Sequence, residues 1–279
     1  MTGDNMKDNN FEKFSNKIEK ISEASSKNLD KIENITPSSK CFDELFCKVY
    51  GIPYDFRFKT VGDKVAFDVK NILNKENLNP TVYSCYQTHS KNVRIIGRDK
   101  ANDFVYGKIF MDSDGIVTDK KNELILIKFA DCTPIVFYEN NKKILGACHS
   151  GWRGTVGGVS KSTVDAIESL GGSVKNIHAY IGPSIGMENY EVGRDVYDEF
   201  EEISKDVKGI LDAFVKSEAR EDKFYLNMKL ANFLILKSLG IKEENIEISN
   251  EFTFGNPHIH SAREEGEGYG LNAILTMIR

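Results

Sequence analysis

Eight short runs of apolar and β-branched residues, each bounded by turn residues, recur between residue 82 and the end of the chain. They cover 82–87, 93–96, 124–129, 135–138, 144–148, 177–181, 246–249 and 271–278. Runs of this length and composition predict strands. Helical spacing lies between them, over 61–73, 156–170, 192–203 and 226–239. In the second of these Val156, Val159, Thr163, Ile167 and Leu170 share one face, and Gly171-Gly172 ends it. Asn140-Asn141-Lys142-Lys143 joins two strand-like runs and predicts a hairpin. Strands and helices so interleaved, with a hairpin among them, predict an α/β fold whose sheet is mixed and not purely parallel.

The chain of 279 residues is 40% hydrophobic, enough for a sizeable core in one domain. Residues 1–40 stand apart, being rich in Asn, Lys, Asp, Glu and Ser. Phe11, Phe14, Ile18 and Ile21 recur there at helical spacing, and Thr36-Pro37-Ser38-Ser39 reads as a break. The expectation is a polar leader over 1–40, helical or disordered, and a single catalytic α/β domain over 41–279. A formal charge of −5 argues against a nucleic-acid partner, which favours a basic footprint. No apolar run approaches the ~18–20 residues of a membrane span, and the first residues lack a secretory apolar region. Five widely spread cysteines, an odd number, suit reduced thiols and a cytoplasmic location.

Three segments carry the chemistry, and each follows a predicted strand. They are Gln87-Thr88-His89-Ser90, Ala130-Asp131-Cys132-Thr133-Pro134, and Cys148-His149-Ser150-Gly151-Trp152-Arg153-Gly154. Strand ends followed by loops are where an α/β scaffold exposes reactive groups. His89, Cys132 and His149 together make a donor set that suits catalytic Zn²⁺ with one open position. Copper also takes two imidazoles and a thiolate. Alternatively, Cys132 is a nucleophile activated by a histidine, with Asp131 orienting the imidazole. Five histidines in the whole chain are too few for a multicopper cluster.

The glycine-rich turn Gly151 to Gly158 feeds a helix and is suited to close backbone approach by an anion, with Arg153 as a cationic fork. It is no Walker loop. Trp152, the single tryptophan, is a candidate core residue or pocket wall. Asp112-Ser113-Asp114-Gly115 resembles a calcium-loop fragment but reads as a turn into a strand over 116–118. Glu191 reads as a charge at a helix start. His258 and His260 alternate and would share a face on a strand, leaving a second metal pair open. Ser261-Ala262-Arg263 is a further anion-binding candidate.

In their order, the segments QTHS, DGIVT, ADCTPIVFY, HSGWRGT, IGPSIG…YEVG and HSAR resemble the laccase-domain family, once labelled multicopper polyphenol oxidoreductases. The resemblance covers roughly 81–279. Members of that family are described as purine nucleoside phosphorylases with adenosine deaminase activity. The resemblance implies a single α/β sandwich of the type shared with cysteine hydrolases, and a catalytic zinc on His89, Cys132 and His149. It implies purine nucleoside and phosphate as small-molecule partners, and a pocket shaped by Asp131, Trp152 and Arg153. On this basis Asp131, Cys132 and Arg153 are expected to be catalytic. Gln87, Trp152, Arg153, Gly154 and Arg263 are expected to bind phosphate or substrate. The sequence departs from the family pattern at Ser90, where glycine is usual, at Glu251-Phe252 in place of Cys-Thr, and at Leu271 in place of arginine. An N-terminal Arg-x-Gly-Gly loop has no counterpart before residue 81.

Overall fold

A computed structural model describes residues 35–279. The helix read over residues 11 to 21 lies outside the described residues. Two six-stranded sheets form the body. The first runs β1 (Leu45–Tyr50), β15 (Asn272–Ile278), β7 (Glu123–Phe129), β2 (Thr81–Cys85), β5 (Gly107–Phe110) and β4 (Asn102–Phe104). The second runs β14 (Ile246–Ile248), β10 (Ile177–Ile181), β8 (Thr133–Glu139), β9 (Ile144–Ser150), β6 (Gly115–Thr118) and β3 (Val93–Ile95). Both are mixed: β2 is parallel to β7 and β5, whereas β8 and β9 form the antiparallel hairpin that the Asn-Lys turn predicts.

Strand β7 shows why the sheets stack. Its side chains alternate between two faces, and both faces are apolar. Ile125, Ile127 and Phe129 enter a core shared with Val136 and Tyr138 of β8 and Leu145 and Ala147 of β9. Leu124 and Leu126 point the other way, onto Val65, Val69 and Ile72. Those three residues come from a helix over Lys64–Lys75, preceded by a single turn over Phe58–Val61. Gly62, at φ +57, separates the two, so the helix predicted over 61–73 starts later. The other large sheet is flanked by a helix over Val159–Ser169. The result is an α/β sandwich with helices outside both sheets, the fold class expected.

The helix predicted over 156–170 is in fact two, Trp152–Gly157 and Val159–Ser169. Gly158, at φ +90, lies in the left-handed region and breaks the axis between them. The helix expected over 192–203 is shorter, Arg194–Glu202, because β11 (Glu191–Gly193) pairs instead with β13 (Lys223–Leu226) in a small three-stranded sheet that also holds β12 (Phe214–Lys216). Phe214–Lys216 and β4, at Asn-Asp-Phe, are three residues long and carry no alternating pattern. The helix over 226–239 forms as Met228–Ser238, capped by the Asn227 side chain accepting from Leu230 N. Just ahead of the predicted domain start, Ile35 bridges to Val49, and the backbone N–H groups of Ser38 and Ser39 donate to the Glu247 carboxylate. Among the described residues, no helix is long and apolar enough to cross a membrane.

Candidate metal centre and cleft

Strand register brings the three chemical segments to one corner. Thr133 lies opposite Ser150 and Pro134 opposite His149, so Cys132, one residue before β8, meets the end of β9. The loop after β2 brings in His89, whose backbone turns through φ +60. The ligand atoms of His89, Cys132 and His149 all lie within 4.8 Å of one another. Cys132 Sγ is 3.9 Å from His89 Nε2, and the two imidazole centroids are 5.0 Å apart.

One buried carboxylate organises this corner. Asp114 is fully buried, and its Oδ1 accepts from His149 Nδ1 at 2.9 Å and from His89 N at 3.2 Å. Its Oδ2 accepts from Thr88 N at 3.1 Å, Ser90 N at 2.7 Å and Ser90 Oγ at 2.8 Å. Asp114 therefore both shapes the strained turn that presents His89 and fixes His149 with Nε2 free to coordinate. The calcium-like turn of the sequence is this carboxylate's seat. Asp131 does not orient an imidazole: its Oδ1 accepts from Thr253 Oγ1 (2.6 Å) and Ser261 Oγ (2.8 Å), and its Oδ2 from Arg263 N (2.7 Å). Ser90, at the position where the family has glycine, supplies one of the Asp114 hydrogen bonds through its hydroxyl.

The electrostatics favour a thiolate. Burial alone would raise the Cys132 thiol, but His149 and His89 beside it outweigh that and hold it at about 6. Burial works against charge on His149, yet Cys132 and Asp114 together bring it up to about 9. Burial would likewise raise the Asp114 carboxyl, but His149 and Ser90 hold it low. Burial pushes the thiols of Cys47, Cys85 and Cys148 up to about 12, which marks them as inert.

Gly151 leaves the corner open. A Cβ at that position would sit 2.7 Å from His89 Cδ2 and 2.9 Å from Cys132 Sγ, in the space beside two of the three donors. Two imidazoles, one thiolate at low pKa, a carboxylate behind one imidazole and a kept space fit a zinc ion with an open position. A cleft of about 350 Å³ runs from His89 and Cys132 past Trp152, Tyr190, Met228, Arg263 and Tyr269. That volume falls within the ~300–1,000 Å³ usual for small-molecule sites.

The other predicted site residues divide. Asp131, Trp152 and Arg263 line the cleft. Arg153 is exposed and stacks on Trp152, with its Cζ 4.2 Å from the ring centroid. Gln87 has both ends of its amide on the Lys128 backbone. Gly154 is buried below the turn, where a Cβ would meet Ser90 O at 3.1 Å. His260 faces the Glu265 carboxylate and Tyr54 O, and 258–260 forms no strand, so no second metal pair arises there. Asp114 and Tyr190 open the DGIVT and YEVG segments, but the sequence assigns neither a place in the site. Tyr269 and Met228 lie in no motif, and nothing in the sequence marks them as site residues.

A family model described as multi-copper polyphenol oxidoreductase laccase matches residues 59–279. A purine nucleoside phosphorylase of Staphylococcus saprophyticus is 30% identical over 174 residues, covering 60% of this chain and 61% of that protein. The matched part thus spans less than two thirds of that relative's length. A protein from an unknown prokaryotic organism, named adenosine deaminase RL5, is 33% identical over 162 residues, covering 57% of this chain and 60% of its own. The crystal structure of YlmD from Geobacillus stearothermophilus superposes with a TM-score of 0.80 at 21% identity, over 90% of this chain and 98% of that one.

Proposed function

This chain belongs to the multi-copper polyphenol oxidoreductase laccase family, and from that premise we propose that it is a zinc-dependent purine nucleoside phosphorylase. The observation that carries the reading is the His89–Cys132–His149 group, braced by Asp114, at one end of a cleft walled by aromatic rings. The relatives' names supply the substrate class. The donor set favours zinc over copper clusters, because His178 contacts Asn140 and His260 is engaged by Glu265 and Tyr54, away from the centre. Five unpaired cysteines suit a reducing, cytoplasmic setting.

When bound, zinc supplies Lewis acidity to an oxygen held at its open position. The protein's own residues do the rest. Asp114 holds His149 in the tautomer that leaves Nε2 for coordination. Arg263 is the cation lining the cleft; its guanidinium makes long 3.3 Å hydrogen bonds to Asn189 O and Glu191 O, and its Cζ lies 5.5 Å from the Tyr190 ring centroid. Exposed and weakly bonded, it can turn onto phosphate oxygens, a role that Arg153, stacked on Trp152 outside the cleft lining, can serve only from the rim. Asp131 fixes the Arg263 backbone and so aims that side chain. Trp152, Tyr190 and Tyr269 offer planar faces to the base. In phosphorolysis a phosphate oxygen bonds to the anomeric carbon as the carbon–nitrogen bond breaks, and the base departs with the electron pair. The hydroxyls of Tyr190 and Tyr269 have no partner among the described residues and can meet the departing base.

The test is product analysis by mass spectrometry, with and without phosphate, on adenosine and inosine. Phosphate-dependent release of free base with ribose 1-phosphate is the expected result. Inosine and ammonia from adenosine, independent of phosphate, would instead point to deamination, the reading that the adenosine deaminase relative favours.

A further inference from the structure

The stretch Glu264-Glu265-Gly266-Glu267-Gly268-Tyr269-Gly270 has three glycines in its last five residues, a composition that leaves a backbone loose on its own. Yet it contributes Tyr269 to the cleft wall. Glu265 Oε2 accepts from Gly270 N within the stretch, and the rest of its fastening comes from residues 55–57. Phe56 is buried in the core beneath the first sheet, and its N–H donates to Leu271 O at 2.9 Å. Asp55 Oδ1 accepts from Leu271 N at 2.9 Å and from Arg57 N at 2.8 Å. From this anchored turn the Arg57 guanidinium reaches across. Its Nη1 donates to Tyr269 O at 2.8 Å and to Glu267 O at 3.1 Å, and its Cζ lies 4.1 Å from the Tyr269 ring centroid. Arg57 is not one of the residues lining the cleft, so it covers the ring from behind.

We propose that Arg57 is a positioning residue that fixes Tyr269 as a stacking platform for the planar base of the ligand. The ring is then held between a guanidinium outside and the base inside. A cation behind an aromatic ring and two carbonyl hydrogen bonds are each modest, but together they remove the rotational freedom that a glycine-flanked tyrosine would otherwise have. This rests on the reading of the cleft as a nucleoside site.

Trp152 is the single tryptophan and lines the same cleft, so its fluorescence reports occupancy without turnover. The experiment titrates adenosine into the zinc-loaded full chain without phosphate, and measures steady-state kinetics with phosphate in parallel. Arg57→Met is expected to raise Kd and KM about fivefold, with kcat changed less than about twofold and zinc content unchanged. Arg57→Lys, which keeps a cation behind the ring, is expected to fall between. In a Tyr269→Ala background, Arg57→Met is expected to add nothing, because the residue acts through that ring. Unchanged Kd in Arg57→Met, or an equal loss in the Tyr269→Ala background, overturns the proposal. Should Arg57→Met destabilise the chain, the Arg57→Lys titration decides in its place, and an unchanged Kd there overturns the proposal equally. Wild-type protein that neither turns over nor quenches with adenosine defeats the nucleoside reading, and this proposal with it. Wild-type turnover with an indifferent Arg57 defeats this proposal alone.

Discussion

The metal corner and the opposite wall of the cleft are built on different principles. In the corner, Cys132 and His149 sit next to strand ends and His89 in the loop after β2, and the β8–β9 ladder fixes the spacing of Cys132 and His149 before any side-chain contact is made. Asp114 then locks the remaining freedom of His89 and His149. The wall formed by 261–271 has no such ladder. It is held by side chains bonding to backbone: Asp131 to Arg263 N, Glu265 to Gly270 N, and Arg57 to Tyr269 O. The candidate metal ligands thus stand on or beside the sheets, while the facing wall stands on side-chain bonds that single substitutions can move.

The largest effect tests the corner. Cys132→Ala is expected to abolish stoichiometric metal and to lower kcat/KM on the order of 10³-fold, read by metal analysis and steady-state kinetics. Asp114→Asn comes next, with metal affinity falling ~10–100-fold in chelator competition, because His149 loses its orienting carboxylate. Asp131→Asn sharpens the contrast. It leaves metal content intact and raises KM about tenfold, because the amide keeps one oxygen, so either Arg263 N or the Thr253 and Ser261 hydroxyls lose their acceptor. Equal metal loss in Asp114→Asn and Asp131→Asn would erase the distinction between the two regions.

The smallest effect concerns pH in metal-free protein. The Cys132 thiol is depressed to about 6, so its stabilisation is lost as pH falls through that value. His149 is raised to about 9, so its stabilisation is lost as pH rises through about 9. The melting temperature of the metal-free protein is expected to be highest between those limits. In Cys132→Ser the advantage should flatten. A wild-type profile without that plateau would count against the thiolate–imidazolium pair.

The two regions also differ in how far they can be read from sequence. His89, Cys132 and His149 stand out because each follows a buried apolar run, and the runs themselves predict most of the two sheets. Asp114 opens the DGIVT segment but has no role legible in sequence beyond a turn, since its partners at 88–90 and 149 are brought together by the pairing of β6 with β9 and by the loop after β2. Tyr269 carries no pattern, because loop contacts and not periodicity place it, while Tyr190 opens the YEVG segment and Met228 the helix over Met228–Ser238 without either pattern marking it as part of a cleft. Arg57 lies in the segment that has no counterpart of the family's N-terminal loop. Gly158 splits a helix whose apolar face looks continuous, since a left-handed residue leaves that face's spacing unchanged.

The central claim is that one zinc is held by two imidazoles and one thiolate from His89, His149 and Cys132. X-ray absorption at the zinc edge of the purified protein tests it most directly. The predicted result is one sulfur at about 2.3 Å together with nitrogen ligands at about 2.0–2.1 Å, and loss of the sulfur shell in Cys132→Ser. A zinc shell without sulfur, or a sulfur shell that survives Cys132→Ser, would contradict it.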